Sequence, residues 1–398
     1  MMLIYTNLYW EHLGVAASLA ISIFVILGLL LRLRETPGSK MHIWAMIGFF
    51  TANTSDMVNS FAYSNVFSAP PMFFRWNDVL IPGFLVSLYF FVRALTSSDP
   101  KLDRRDWVHL LPFLAGVLFL APSLALPGDV RIGRAVANLS TWHQELIQIG
   151  NTAFWGLWVV LLATYGGICV RLLIAHQRNI RAVFSDLEGK NLHWLNGLIA
   201  TILILALTVI ADEIGMLLGR NSVRDGIASL IYDVVLSGAF GLFALRAVPP
   251  LPQWSQEIIT QDPPDNEDPT PEKDTIKSYA RSGLRPEDAA RFAARLEKRM
   301  TEGQLWRNHS LNLQSLASEV AVSPIHLSEV LNTKIGMSFY DYVNQGRIRD
   351  ACDLLIRTDK SVIEISEIVG FNAKSTFNAS FKKITDQTPS QWRRTHKP

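Results

Sequence analysis

Along the first 248 positions, mostly apolar stretches of about 20 residues recur, the length a helix needs to cross the hydrocarbon of a bilayer. Seven such stretches predict seven spans: Leu13–Leu33, Ile43–Tyr63, Val79–Leu95, Leu110–Leu126, Ile149–Ile174, Leu195–Leu218 and Ile227–Val248. The second is the most polar, interrupted by Asn53, Thr54, Asp56 and Asn59. Beyond Arg246 the pattern changes abruptly. Residues 249–275 carry Pro249, Pro250, Pro252, Pro263, Pro264, Pro269 and Pro271 among acidic and amide side chains, a composition that cannot bury enough apolar surface to fold. After Pro286, suited to a helix N1 position, Phe292, Leu296 and Met300 recur at i+4, and short amphipathic helices follow to the end. The expected fold is all-α, with a seven-transmembrane helix bundle at 1–248, a flexible Pro-rich acidic linker at 249–285 and a small helical domain at 286–398.

Composition agrees with this division. A 49% hydrophobic share, 18% charged residues and a mean hydropathy of +0.19 are too apolar for a soluble chain of 398 residues. The net charge of +2 conceals an acidic connector, with 8 basic and 11 acidic residues over 249–302, beside a basic end, with 12 and 9 over 303–398. Lys and Arg collect in cytoplasmic loops, because translocating them is unfavourable. The first, third and fifth loops hold 11 of them (Arg32, Arg34, Lys40; Arg93, Lys101, Arg104, Arg105; Arg171, Arg178, Arg181, Lys190). The opposite side holds 5: Arg75, Arg131, Arg134, Arg220 and Arg224. This bias places the N-terminus outside and the C-terminus in the cytoplasm. Trp10, Trp44, Trp76, Trp107 and Trp194 fall at span starts, where an indole favours the headgroup region. Residues 1–12 lack a basic n-region, so the first apolar run reads as a retained span.

Near the C-terminus the pattern is helix, tight turn, helix. Leu313–Val320 is followed by Ala321-Val322 and then by a helix that Ser323 caps and Pro324 opens. The same phrase recurs at Ile363–Phe371 and Asn372–Lys383, with Gly370 at a turn needing positive φ. Between them Phe339–Leu355 reads as one long helix, which would set both second helices on one face about one DNA turn apart.

These residues carry a specific resemblance. Leu316-Ala317, Leu327-Ser328, Asn332, Phe339, Asn344, Arg347-Ile348, Ala351, Leu354-Leu355, Gly370-Phe371, Phe377, Phe381-Lys382-Lys383 and Thr388-Pro389 together resemble the AraC/XylS family of bacterial transcription regulators. The resemblance covers about the last 100 residues and implies two DNA-binding helix-turn-helix units, repeated sites on double-stranded DNA and, in many members, contact with RNA polymerase. Asp386 stands where the family usually has Gly, Ser366 where it has Ala, and Ala379 where it often has Arg.

Helical position makes Ile325, Ser328 and Glu329 in the first recognition helix, and Lys374, Ser375 and Asn378 in the second, the candidates for base edges. Asn378 can pair bidentately with adenine, Glu329 can accept from cytosine, and Ile325 can meet a thymine methyl. Lys382, Lys383, Arg393 and Arg394 are placed to grip phosphate. In the membrane block Asp56, Asp78, Asp212, Glu213 and Asp233 all fall toward the outer leaflet. They form either a signal-sensing pocket for a cationic or hydrogen-bonding ligand or for protons, or a set of polar ties between helices. Cys169 and Cys352 show neither metal spacing nor a disulfide framework, and no cofactor, metal or catalytic set is expected. The expectation is a regulator in the bacterial inner membrane, not an enzyme, with DNA, the lipid bilayer, a small-molecule or physical signal, RNA polymerase and a second copy as partners. The rival is a membrane transporter or enzyme carrying a regulatory DNA-binding tail. Against it stands the lack of a phosphate loop, a nucleophile–base pair or an inverted repeat.

Overall fold

The computed structural model describes residues 2–36, 39–63, 70, 73–132, 139–192, 194–197, 199–200, 203–204, 207, 211, 215, 227–261 and 284–397. The chain divides into two compact units, residues 1–173 with 192–249, and residues 174–191 with 250–398.

In the first unit the helices are α1 (Met2–Glu35), α2 (Met41–Ala62), α3 (Pro82–Thr96), α4 (Leu111–Leu124), the short α5 (Gly128–Arg131), the opening part of α6 (Thr141–Val183) and α7 (Ile227–Arg246). α1 packs on α2 and α7, and α2 on α3. Close approach of α1 and α7 depends on glycine: a Cβ on Gly241 would lie 2.5 Å from Val25, and one on Gly28 would lie 2.8 Å from Leu245. Phe49 stacks on Phe240 at 4.6 Å and meets Phe50 and Phe84 edge-on. Arg32 donates to the carbonyls of Ala244, Leu245 and Ala247, so the C-terminal ends of α1 and α7 lie together.

Among the described residues, four helical stretches are long and apolar enough to cross a membrane, not seven: His12–Glu35, Trp76–Thr96, Arg104–Leu124 and Thr141–Val183. They coincide with the first, third, fourth and fifth expected spans. α2 forms where the second was expected, but its polar residues lower its hydropathy. One of them, Asn53, is buried and donates its amide to Ser22 (2.8 Å), Ser237 (3.2 Å) and Ser18 (3.3 Å), a polar knot tying α1, α2 and α7. The sixth expected span falls largely outside the described residues, and the seventh is α7.

The second unit contains the end of α6, the loop after it, α8 (Gln256–Gln261), α9 (Pro286–Gly303), α10 (Leu313–Val320), α11 (Pro324–Glu329, continued by a π-helical turn at Val330–Ile335), α12 (Phe339–Arg357), α13 (Val362–Ile368), α14 (Lys374–Thr385) and α15 (Pro389–His396). Asn312, Ser323, Ser338, Ser361 and Thr388 each accept a backbone N–H at a helix start, so the chain is punctuated by its own caps. Two cores form around α12. Phe339 and Val343 join Leu296, Leu316, Leu327 and Leu331, whereas Ile348, Ala351 and Leu355 join Ile365, Val369, Phe377 and Phe381. The expected linker between the two motifs is thus a shared wall of both.

Two segments fall in places the composition did not suggest. Residues 250–261 open the stretch expected to be a linker, yet Leu251, Ser255 and Ile258 are buried there and Ile258 belongs to the first helix-turn-helix core. Residues 262–283 of that stretch lie outside the described residues. The loop after α6 is folded into the second unit: Ser185 donates its N–H to the Leu311 carbonyl, and Phe184 forms an isolated antiparallel bridge with Asn312.

Candidate nucleic-acid interface

α10 and α11 form the first helix-turn-helix, joined by a turn in which Ala321 takes a left-handed conformation at φ 57°. α13 and α14 form the second, turning at Gly370 with φ 95°. That glycine is required twice over, since a Cβ would also lie 2.7 Å from the Arg307 carbonyl and 2.8 Å from that of Trp306. Asp386 ends α14 at φ 56°, the conformation for which Gly is the usual choice and which Asp tolerates.

The two recognition helices present very different surfaces. On α14, Lys374 and Ser375 are exposed, Asn378 is half-buried, and Ala379 and Lys382 are exposed beside them, so one face is open to a ligand. On α11 the candidates are covered. Ser328 is 8% and Glu329 7% exposed, and Ile325 packs against the first core. At about 100° per residue, positions 325 and 329 lie nearly opposite the core-facing Leu327, Val330 and Leu331, and 328 lies on the flank between the two faces. Their burial therefore needs a second covering layer. α8 packs on α11, and its Ile258 belongs to the apolar cluster that Ile325 and Trp254 pack against.

Of the phosphate candidates, Lys382 and Arg394 are exposed. Lys383 pairs with Asp341 at 3.0 Å. Burial works to raise the Asp341 pKa, but the Ser338 hydroxyl, Lys383 and Arg181 outweigh it and hold the carboxyl below its usual value. Arg393 is committed elsewhere, donating to the carbonyls of Leu355 (3.2 Å) and Lys360 (2.5 Å), so it ties α15 to the end of α12.

The sequence marks Asn344 and Arg347 only as positions of the resemblance and gives no role to the groups that brace this interface. Arg347, 1% exposed on α12, donates to the Trp306 carbonyl (2.8 Å), the Asn308 carbonyl (3.0 Å), the Ser185 carbonyl (3.1 Å) and hydroxyl (3.2 Å), and Asn344 Oδ1 (3.3 Å). Burial lowers its pKa to about 10, so it stays charged at neutral pH. Asp350 accepts from both Arg307 (2.6 and 2.9 Å) and Trp306 (3.0 Å). Asn372, just ahead of α14, donates to Asp186 at 2.7 Å. An arginine at a helix position flanked by apolar residues was the available signal for Arg347.

In the first unit, the acidic set is only partly described. Asp56 on α2 accepts from Asn77 (2.8 Å), and Asp78, in the 3-10 turn Trp76–Leu80, pairs with Arg75 (2.8 Å). These two lie on adjoining elements, each with a partner. Asp212 and Glu213 lie outside the described residues, and Asp233 lies on α7 with its side chain undescribed.

Comparison with known proteins bears on the second unit. A family profile described as "Helix-turn-helix domain" matches residues 316–395. The probable transcription factor PqrA of Proteus vulgaris is 30% identical over 92 residues, which are 23% of this chain and 75% of that protein. An uncharacterised HTH-type transcriptional regulator of Staphylococcus aureus (strain COL) is 33% identical over 90 residues, 23% of this chain but only 12% of that much longer protein. Among solved structures, the C-terminal domain of AraT, a response regulator from Geobacillus stearothermophilus, is 30% identical, with a TM-score of 0.24, covering 26% of this chain and 87% of that one.

Proposed function

Because the chain belongs to the helix-turn-helix transcriptional regulators of AraC type, we propose that it is a membrane-integral member: residues 1–248 cross the bacterial inner membrane seven times and sense a signal, and the helix-turn-helix unit reads promoter DNA at the cytoplasmic face. The observation that carries this reading is the presence, in one chain, of four helical stretches apolar enough to span a bilayer and of two helix-turn-helix motifs. Two further features support the topology. The adjacent C-terminal ends of α1 and α7 fit an odd number of crossings, in which the first and last spans run the same way. Residues 174–191, assigned to the cytoplasm by their basic charge, belong to the same compact unit as the DNA-binding motifs, which must face the cytoplasm.

In this reading Lys374, Ser375 and Asn378 read base edges, Lys382 and Arg394 hold phosphate, and Ile325, Ser328 and Glu329 read a second half-site once uncovered. Ligand binding at the outer acidic residues shifts helix packing or pairing of two copies, which changes how two DNA modules occupy a repeated site and meet RNA polymerase. Single-cysteine labelling with an impermeant maleimide tests the topology: cysteines placed at Arg75 and Arg131 should react in intact cells, and one at Arg104 should not. A gel shift of the detergent-solubilised chain tests the DNA step. Binding should weaken steeply with salt, and Asn378→Ala should lose sequence preference. Reaction at Arg104 from outside, or no binding to promoter DNA at low salt, overturns the respective half.

A further inference from the structure

The segment that follows the last expected span does more than tether. We propose that α8, with the turn leading into it, is a built-in cover for the first recognition helix, so that the structure shows the regulator with one of its two DNA-reading faces closed. The observations are independent of one another. On α11, Glu329 lies on the side away from Leu327, Val330 and Leu331 and Ser328 on the flank, yet both are almost fully buried. From outside the motif, α8 packs on α11, and Ile258 is 4% exposed within the same apolar cluster as Leu327 and Leu331. Leu251 and Ser255 are buried ahead of it, and Trp254 packs against that cluster. The corresponding face of α14 is open, which makes the closure specific to the first motif.

A major groove and α8 cannot occupy the same face of α11, so the closed chain holds DNA by the second motif alone. Full two-site binding requires α8 to leave. Residues 247–255 join it to α7. In population terms, the apparent affinity for a two-site duplex is the intrinsic affinity scaled by the open fraction.

The inference rests on the DNA-binding reading, and the experiment separates the two. The full chain in lipid nanodiscs is titrated with a duplex selected from random sequence, alongside Ile258→Asp and a variant in which residues 251–261 are replaced by a Gly/Ser stretch of equal length. Both variants should bind about ten-fold tighter or more, with a steeper dependence on salt as new phosphates are engaged. Equal or weaker binding by either folded variant overturns the proposal. A second measurement needs neither release nor DNA: in a Cys169→Ser, Cys352→Ser background, a maleimide should label Glu329→Cys at least ten-fold more slowly than Lys374→Cys. Similar rates overturn the cover even if both variants misfold. Failure of every chain to bind any duplex, with slow labelling at 329, would instead refute the DNA-binding reading and leave the cover standing.

Discussion

Replacing Arg347 by Met should cost the helix-turn-helix unit about 3 kcal/mol of stability. The guanidinium is buried where α12 passes from one core to the other, and its five hydrogen bonds end on neutral oxygens from the loop after α6, from the segment before α10 and from α12 itself. Met fills much of the aliphatic volume but donates nothing, so the carbonyls of Trp306 and Ser185 lose their donor, whereas that of Asn308 keeps the Leu311 N–H. An orphaned buried acceptor costs roughly 1–3 kcal/mol, so two set a gross loss of about 2–6 kcal/mol. Against this, the fold no longer has to bury a cation, and that relief is several kcal/mol; the pKa of Arg347, pulled down to about 10 by burial, has the same origin. The guanidinium also lies 5.3 Å from the Phe371 ring centroid, a contact worth roughly 0.5–2 kcal/mol that Met gives up. The balance is a net loss of about 3 kcal/mol, a roughly hundred-fold fall in the folded-to-unfolded ratio. Lys keeps the charge but presents a single ammonium, and should recover less than half of the loss. Urea unfolding of the full chain in micelles, read by pulse proteolysis of a C-terminal epitope, measures this. A Met variant within 1 kcal/mol of the native chain, or a Lys variant equal to it, would refute the reasoning.

Gly370→Ala should destabilise the same unit by more than about 2 kcal/mol, because it combines a strained positive φ with carbonyls at 2.7 and 2.8 Å from the new Cβ, and a melting curve of the variant checks it. Asp350 has its pKa lowered: burial acts to raise it, and Arg307 and Trp306 outweigh that effect. Its contribution is therefore present above the unfolded carboxylate value near 3.8 and is lost as pH falls through the lower folded value; between pH 5 and 2 the native chain should lose more stability than Asp350→Asn in acid unfolding followed by circular dichroism. Lys382→Ala should reduce the slope of log affinity against log salt by about one. Lys383→Ala should reduce it by less, since Lys383 must first leave Asp341, and parallel salt titrations of the two variants compare them. Arg393→Ala should lower the melting temperature while leaving the salt slope unchanged, as expected of a group bound to Leu355 and Lys360 rather than to phosphate.

Much of the second unit was legible because its signals are local. Ser323 with Pro324 marks a helix start, Gly370 marks a turn, and Phe371, Phe377 and Phe381 announce a core by their spacing, so two motifs and the shared helix between them follow from short windows. Periodicity tells which face of a helix is apolar and hence buried, but it is silent about a polar face covered by chain from elsewhere. Ser328 and Glu329 lie on such a face, and the segment packed on α11 offers only Leu251, Trp254 and Ile258 among prolines and polar residues, too few for any window to register. The same limit explains Arg347 and Ser185, which lie 162 positions apart and meet only in the folded chain. Asn53 shows the converse: it weakened the second apolar run, yet its amide is what holds three helices together. In each instance the missed contact joins the helix-turn-helix unit, or the bundle, to residues distant in sequence. Local pattern is enough to specify a DNA-reading motif, whereas control over when that motif is exposed depends on long-range contacts. The first recognition face, closed by residues from just beyond the last expected span, is where those two levels meet.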